Sequence, residues 1–271
     1  MNPDQPQIRM IEDEIDETKG LTIMTDVPAI ELKELQAVRK KMTKFLMTYR
    51  FALEEMMTKV DILKEEFHIA HDYNPIEHTK SRIKTPESII QKAQRKDLGF
   101  KTADIKEAIR DIAGIRITCS FRSDIYEIRH MLLSQQDIEL IDEKDYIKHP
   151  KPNGYQSLHL IVRVPVFMSD RVEYPYVELQ IRTIAMDFWA SLEHKIYYKY
   201  EKDAPQELID ELSSAADAVT ALDKKMERIH LELRKQDPPA ESAEDDLFDL
   251  PEDMLRRILK MSQERTSTNP H

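Results

Sequence analysis

The segment YVELQIRT (176–183) sets three polar residues in line. Side chains alternate along a strand, so Val177, Leu179 and Ile181 take the core side, and Glu178, Gln180 and Arg182 share the other. An unpaired buried charge is costly, so this carboxylate, amide and guanidinium need either one another or a ligand. Two upstream segments carry complementary chemistry. SRIKTPES (81–88) offers Arg82 and Lys84 on one side of an extended stretch that leads into a helix start bearing Ser88. Side-chain cations and free helix N–H groups converge well on phosphate, although the same stretch also reads as a solvated basic surface. RDIAGIRI (110–117) puts Asp111 where a strand begins and Arg116 on the strand itself. An acid beside basic segments suits Mg²⁺, and equally suits a plain helix end or turn.

The fourth segment, KHPKPNGYQSLHL (148–160), spends one of only four glycines in 271 residues, where average usage is about 7%. Asn153-Gly154 signals a turn, after which Tyr155, Ser157 and His159 lie on one strand face. A tyrosine at a strand mouth, preceded by Lys144, Lys148 and Lys151, could stack a base while the lysines meet its phosphates. A hairpin-like turn with a core tyrosine fits the segment as well. GxxxxGK[ST], GxGxxG and GxSxG are all missing, and four glycines build no backbone cradle for phosphates. Nucleotide binding here must be done by side chains. HIAHD (68–72) has metal-like spacing, yet no second His/Asp set follows and only 67 residues precede it. It reads as a polar helix end.

These groups need elements to hold them. Apolar residues recur at spacings of three and four from about 29 to 70, as one long helix or two joined ones. Asn74-Pro75 breaks the pattern. Helices are expected at about Pro86–Lys96, with Pro in the first turn after Thr85, and at Thr102–Arg110, with Thr102 as a possible cap. Alternating, β-branched runs at 112–121, 155–166 and 176–182 read as strands, with helices at about 124–134 and 185–201. The fold class expected is α/β (α+β), a mixed sheet flanked by helices. Leu208, Leu212, Ala215, Val219, Leu222, Met226, Ile229 and Leu233 then form a heptad seam. That seam packs on its own domain or on a second chain. Three regions follow: an acidic tail (1–28), a central domain (29–235) that includes the heptad helix at 206–235, and an acidic linker with a short helix (236–271).

Composition narrows the classes. The single Cys119 excludes an internal disulfide and thiolate zinc clusters. No apolar run approaches the roughly 20 residues of a membrane span, and the acidic N-terminus lacks a signal peptide's apolar core, so a cytoplasmic protein is expected. Net charge is −11, which argues against nonspecific nucleic-acid binding. The distribution is uneven: residues 80–110 hold nine Lys/Arg against four acids, and residues 236–253 hold eight acids and no base. Acidic ends around a basic middle suit a small anionic ligand in a central pocket.

Together, SRIK, DIAGIR, KPNGYQSLH, VELQIRT and AMDFWASLEHK resemble the synthetase domain of the RelA/SpoT-homologue superfamily, over about residues 30–235. The length resembles its small alarmone synthetases. The resemblance implies a nucleotidyltransferase-like synthetase domain and a Mg²⁺-dependent, cytoplasmic pyrophosphokinase of the bacterial stringent response. Such an enzyme moves the β,γ-diphosphate of ATP to the 3′-hydroxyl of GDP or GTP. By motif, Arg82 and Arg116 would hold adenine, and Lys84 and Ser88 would meet ATP phosphates. Asp111 and Glu178 would bind Mg²⁺, with Glu178 also activating the acceptor hydroxyl. Tyr155 would stack on guanine, Lys144, Lys151 and His159 would lie near the acceptor phosphates, and Gln180 would support the geometry. The heptad helix matches a family tendency toward homotetramers. The alternatives are a toxin-type relative that modifies the tRNA 3′ end, which the acidic charge disfavours, and a non-catalytic nucleotide-binding relative. Gln156 and Asp187 depart from the pattern, and the charge at Asp187 would be expected to weaken phosphate binding. His78 and Lys80 differ from the residue types tied to product activation in some relatives, so no such activation is expected.

Overall fold

The computed structural model describes residues 29–70, 73–99, 101–199, 205–236, 253–257 and 260. The chain divides into two units, residues 1–47 and 48–271. Within the first, residues 29–47 are helical and form the start of α1 (Ala29–Ala70), which is one continuous helix.

The second unit is built on a five-stranded mixed sheet. Its strands are β1 (Ile76–Ile83), β2 (Ala113–Cys119), β3 (Glu139–Asp145), β4 (Leu158–Arg163) and β7 (Tyr176–Thr183), in the order β1-β2-β7-β4-β3. Only the central β2–β7 pair is parallel; β1–β2, β4–β7 and β3–β4 are antiparallel. A separate two-stranded ribbon joins β5 (Val166–Phe167) to β6 (Val172–Glu173). The helices are α2 (Pro86–Arg95), α3 (Thr102–Ala108), α4 (Arg122–Ser134), α5 (Ile184–Lys199) and α6 (Gln206–Gln236).

Alternation along the central strands sorts the two faces. Ile115 and Ile117 of β2, Leu179 and Ile181 of β7, and Leu158, Leu160 and Val162 of β4 are buried. Helices α4 and α5 pack on β2 and β7, and α6 packs on α5 and α4. The C-terminal part of α1 buries Tyr49, Ala52, Leu53, Met56, Val60 and Leu63, the three-and-four spacing read in the sequence.

Caps fix the helix starts that matter for the site. Thr85 accepts the Ser88 N–H and Pro86 opens α2. Thr183, the last residue of β7, accepts the Met186 N–H and so starts α5 immediately after the strand. Lys101, without a side-chain bond, stands at the cap of α3 where Thr102 was expected. The strand expected at 155–166 begins only at Leu158, because residues 151–157 form a turn and loop. Strands β1 and β3 were not read as strands in the sequence; both are edge strands whose polar residues hide the alternation.

Candidate active site

Strand register assembles the site. Lys80 lies opposite Arg116, Arg116 opposite Gln180, Gln180 opposite His159 and His159 opposite Lys144. The next row runs Arg82, Gly114, Glu178. Residues directly opposed across a ladder share a face, so five strands bring cations, a carboxylate, an amide and an imidazole onto one surface. That surface is the one turned away from Leu179 and Ile181. Lys80, Arg82, Gly114, Arg116, Glu178 and Gln180 line a cavity of about 190 Å³. Gly114 lies in its lining, and a Cβ there would meet the Arg82 side chain and the Glu178 carbonyl oxygen at an ordinary contact distance of 3.8 Å.

Asp111 sits at one end of this cavity's strands, two residues before β2. Lys84 donates to its Oδ2 at 2.6 Å, and Lys92 of α2 donates to both oxygens at 2.9 Å. The Lys84 N–H to Ile112 carbonyl bond, 2.8 Å, continues the β1–β2 pairing one step and sets Lys84 beside the acid. Burial works to raise the Asp111 pKa, but the two ammonium groups more than offset it and hold the carboxyl below its ordinary range. Ser88 stays within the α2 cap, its hydroxyl 3.1 Å from that of Thr85.

At the other end lies a connected network. Arg182 donates to the Tyr155 hydroxyl at 2.5 Å and to Gln180 Oε1 at 2.8 Å. Gln180 Nε2 donates to Glu178 Oε2 at 2.9 Å. The Tyr155 hydroxyl is 2.7 Å from His159 Nε2. Nδ1 faces Glu178 Oε1 at 3.5 Å. Burial pushes the Glu178 pKa up, yet His159 and Gln180 outweigh it and keep the carboxyl below its ordinary value. Tyr155 is pushed up by burial in spite of Arg182. Lys151 lies over the rings of both Tyr155 and Tyr146, at 4.6 and 4.7 Å. Lys144 is exposed on the edge strand, 3.7 Å from Asp142.

Gly154 has φ +83°, and a Cβ there would fall 2.4 Å from the Cβ of Ala216 on α6. The backbone that approaches this glycine is therefore the heptad helix. Gln156 donates to Thr220 at 2.6 Å and accepts from Arg122 at 3.1 Å, so the same loop is bonded to α6 and α4. The inward face of α6 carries Ala216 and Asp223, both buried, while Leu222, Met226, Ile229 and Leu233 of the heptad seam are exposed.

Structure thus gathers Arg82, Arg116, Glu178 and Gln180 around one cavity, Lys84 on Asp111, and Tyr155 with His159 and Lys151 beside Glu178. Lys92, Gly114 and Tyr146 were not singled out as ligands or supports in the sequence, and Arg182 was read only as a guanidinium needing a partner or a ligand. Lys92 follows Ser88 by one helical turn, a spacing that could have found it. The Asp187 carboxylate takes Arg116 at 3.1 Å and Arg182 at 3.2 Å, so its charge is paired with two guanidinium groups. Of the HIAHD pair, His71 and Asp72 lie outside the described residues, as does most of 236–271.

A polar sheet face whose cations flank two carboxylates defines a side-chain-built site for phosphorylated ligands. Residues 81–203 match the family model "Region found in RelA / SpoT proteins". Over 208 residues the chain is 50% identical to the GTP pyrophosphokinase YwaC of Bacillus subtilis, covering 77% of this chain and 99% of that protein. The small alarmone synthetase 1 of B. subtilis bound to its product pppGpp is 37% identical, with a TM-score of 0.67 over 72% of this chain and 98% of that one. The same synthetase bound to AMPCPP is similar at 34% identity, TM-score 0.62, over 72% and 99%. The chain belongs to the RelA/SpoT family and has the fold of its small synthetases.

Proposed function

We propose that the chain is a GTP pyrophosphokinase, transferring the β,γ-diphosphate of ATP to the 3′-hydroxyl of GDP or GTP. The observation that carries this reading is the order across the sheet: Arg82 and Arg116 on one side of Glu178, and on the other His159 with Tyr155 and Lys151 of the preceding loop. ATP lies on the first side, with adenine between the Arg82 and Arg116 guanidinium planes and its phosphates toward Lys84, Lys92 and the α2 start at Ser88. The guanosine nucleotide lies on the second side. Its base stacks on Tyr155, and Lys151, His159 and Lys144 face its phosphates.

Glu178 stands between the two. Held ionised by His159 and Gln180, it accepts the proton of the 3′-hydroxyl as that oxygen bonds the β-phosphorus. The bond from the β-phosphorus to the α–β bridging oxygen breaks, and AMP leaves with that oxygen. Diphosphate transfer asks mainly for positioning and charge neutralisation, which the lysines and arginines provide.

The residues fit a Mg²⁺ ion. Asp111 and Glu178 are close enough for the charge of one to act on the other, and this metal takes one or two carboxylates with the rest of its shell from phosphates and water. When bound, it would neutralise developing charge on the transferred phosphates. The protein acts in the cytoplasm. Copies of the chain associate through the exposed seam of α6, and a tetramer is favoured.

The test is incubation of purified protein with γ-labelled ATP, Mg²⁺ and either GDP, GTP or deacylated tRNA. Label is expected on the guanosine nucleotides. Label on tRNA, or on nothing, overturns the reading.

A further inference from the structure

Arg182 is an expensive residue for its place. Its side chain is 5% exposed, on a central strand, and a buried ion pair is often no more stable than an apolar packing of the same volume. Yet every arm of its guanidinium is in use. NH1 donates to Asp187 Oδ1 at 3.2 Å, Nε to Ser157 Oγ at 3.3 Å, and NH2 to Tyr155 and Gln180 at 2.5 and 2.8 Å. The two NH2 acceptors are the groups that lead to the acceptor side: Tyr155 holds His159, and Gln180 holds Glu178.

Asp187 closes the link to the donor side. The same Oδ1 that takes Arg182 also takes Arg116 NH1 at 3.1 Å. Arg116 is 33% exposed and lines the cavity, and its Nε is buried with no partner among the described residues. Its aim therefore rests on Asp187. The start of α5 delivers this carboxylate because Thr183 caps the helix and leaves Asp187 in the first turn, over the strand ends.

We propose that Asp187 and Arg182 are positioning residues that set both nucleotide subsites at once, Asp187 aiming Arg116 on the donor side and Arg182 fixing Tyr155, Gln180 and through them His159 and Glu178 on the acceptor side. The inference rests on the pyrophosphokinase reading for the identity of the two nucleotides. It differs from a role in tying α5 to β7, which would lower stability without changing how the folded protein binds.

Titration calorimetry on the full chain separates these, with α,β-methylene-ATP and GDP as separate ligands, and Asp187→Asn, Arg116→Met and the double variant compared with wild type. Loss of a charged hydrogen-bond partner is worth about tenfold or more in affinity. Asp187→Asn should weaken both ligands by about that factor, whereas Arg116→Met should weaken the ATP analogue alone. In the Arg116→Met background, Asp187→Asn should still weaken GDP but should not weaken the analogue further. Arg182→Lys, which keeps the charge but cannot span four acceptors, should weaken GDP and lower kcat, and it serves if Asp187→Asn does not fold. Unchanged affinities with only a lower melting temperature or active fraction overturn the proposal, as do additive effects on the analogue. Wild-type protein that transfers no diphosphate would instead sink the pyrophosphokinase reading.

Discussion

Gly154→Ala tests whether the heptad helix sets the acceptor loop. Two costs arise at this position. An L-residue in the left-handed region costs about 1–2 kcal/mol, and Gly154 has φ +83°. The new Cβ would also lie 2.4 Å from Ala216 Cβ, so loop and helix must separate by about an ångström, and such overpacking costs about 1–3 kcal/mol. The sum, about 2–5 kcal/mol, is a large part of an ordinary domain's stability of about 5–15. Urea unfolding reads it, and GDP affinity reads the displacement of Tyr155. Ala216→Gly opens the space at the expense of about 0.5–1 kcal/mol in the helix. In the double variant the steric part should return while the backbone part remains, so the two substitutions must be non-additive. Gly154→Ala within about 0.5 kcal/mol of wild type, or strict additivity with Ala216→Gly, would refute the close approach.

Glu178→Gln keeps the shape but cannot take a proton, and kcat in the label-transfer assay should fall by about 10²-fold or more; an unchanged kcat removes Glu178 as the base. Asp223 is buried against Thr183 at 2.8 Å, and burial raises its pKa. The native state therefore binds its proton more tightly than the unfolded chain, so stability falls as pH rises past the unfolded value of about 3.9. Asp223→Asn should raise the urea midpoint at neutral pH, with the gain vanishing in acid; a gain that persists in acid counts against burial as the cause. Asp111 and Glu178 are shifted the opposite way, so their contribution is present above the unfolded carboxylate values and is lost as pH falls through the lowered native ones. Asp111→Asn should accordingly lower stability at neutral pH, and the difference should close in acid unfolding curves. Leu222→Asp, on the exposed seam, should reduce the mass seen by light scattering to that of a smaller species, and an unchanged mass would exclude the seam as the interface.

What the sequence made legible follows from periodicity and chemistry. The central strands were readable because they are buried on one face and polar on the other, so Val177, Leu179 and Ile181 announced the face that Glu178 and Gln180 occupy. Edge strands β1 and β3 were not, since Lys80, Arg82, Glu143 and Lys144 leave no alternation to see. Of the motif residues, Arg82, Arg116, Glu178 and Gln180 line one cavity, and Lys84 lies on Asp111. Lys92 escaped because its partner is remote, Asp111 lying 19 residues away. Arg182 was legible as a group that needs partners, but not as a partner of Tyr155, 27 residues from it. The heptad seam was seen, but side-chain pattern alone could not show that α6 turns Ala216 and Asp223 inward. That face meets residues remote in sequence: Gly154 approaches Ala216, Gln156 donates to Thr220 and Thr183 donates to Asp223.

The acid pairing also bears on how a protein of net charge −11 would bind the two polyphosphates proposed for it. Asp111 carries two ammonium groups and Asp187 two guanidinium groups, so each acid sits inside a locally positive cluster. Lys84 and Lys92 would need little reorganisation when phosphate arrives, because each can turn from an Asp111 oxygen to a phosphate oxygen of similar geometry. A glycine-rich loop meets phosphate with backbone N–H groups. Here the sheet register and two over-paired acids hold side-chain donors in place instead, and the glycine that the geometry demands is Gly154, which has φ +83° and meets the helix.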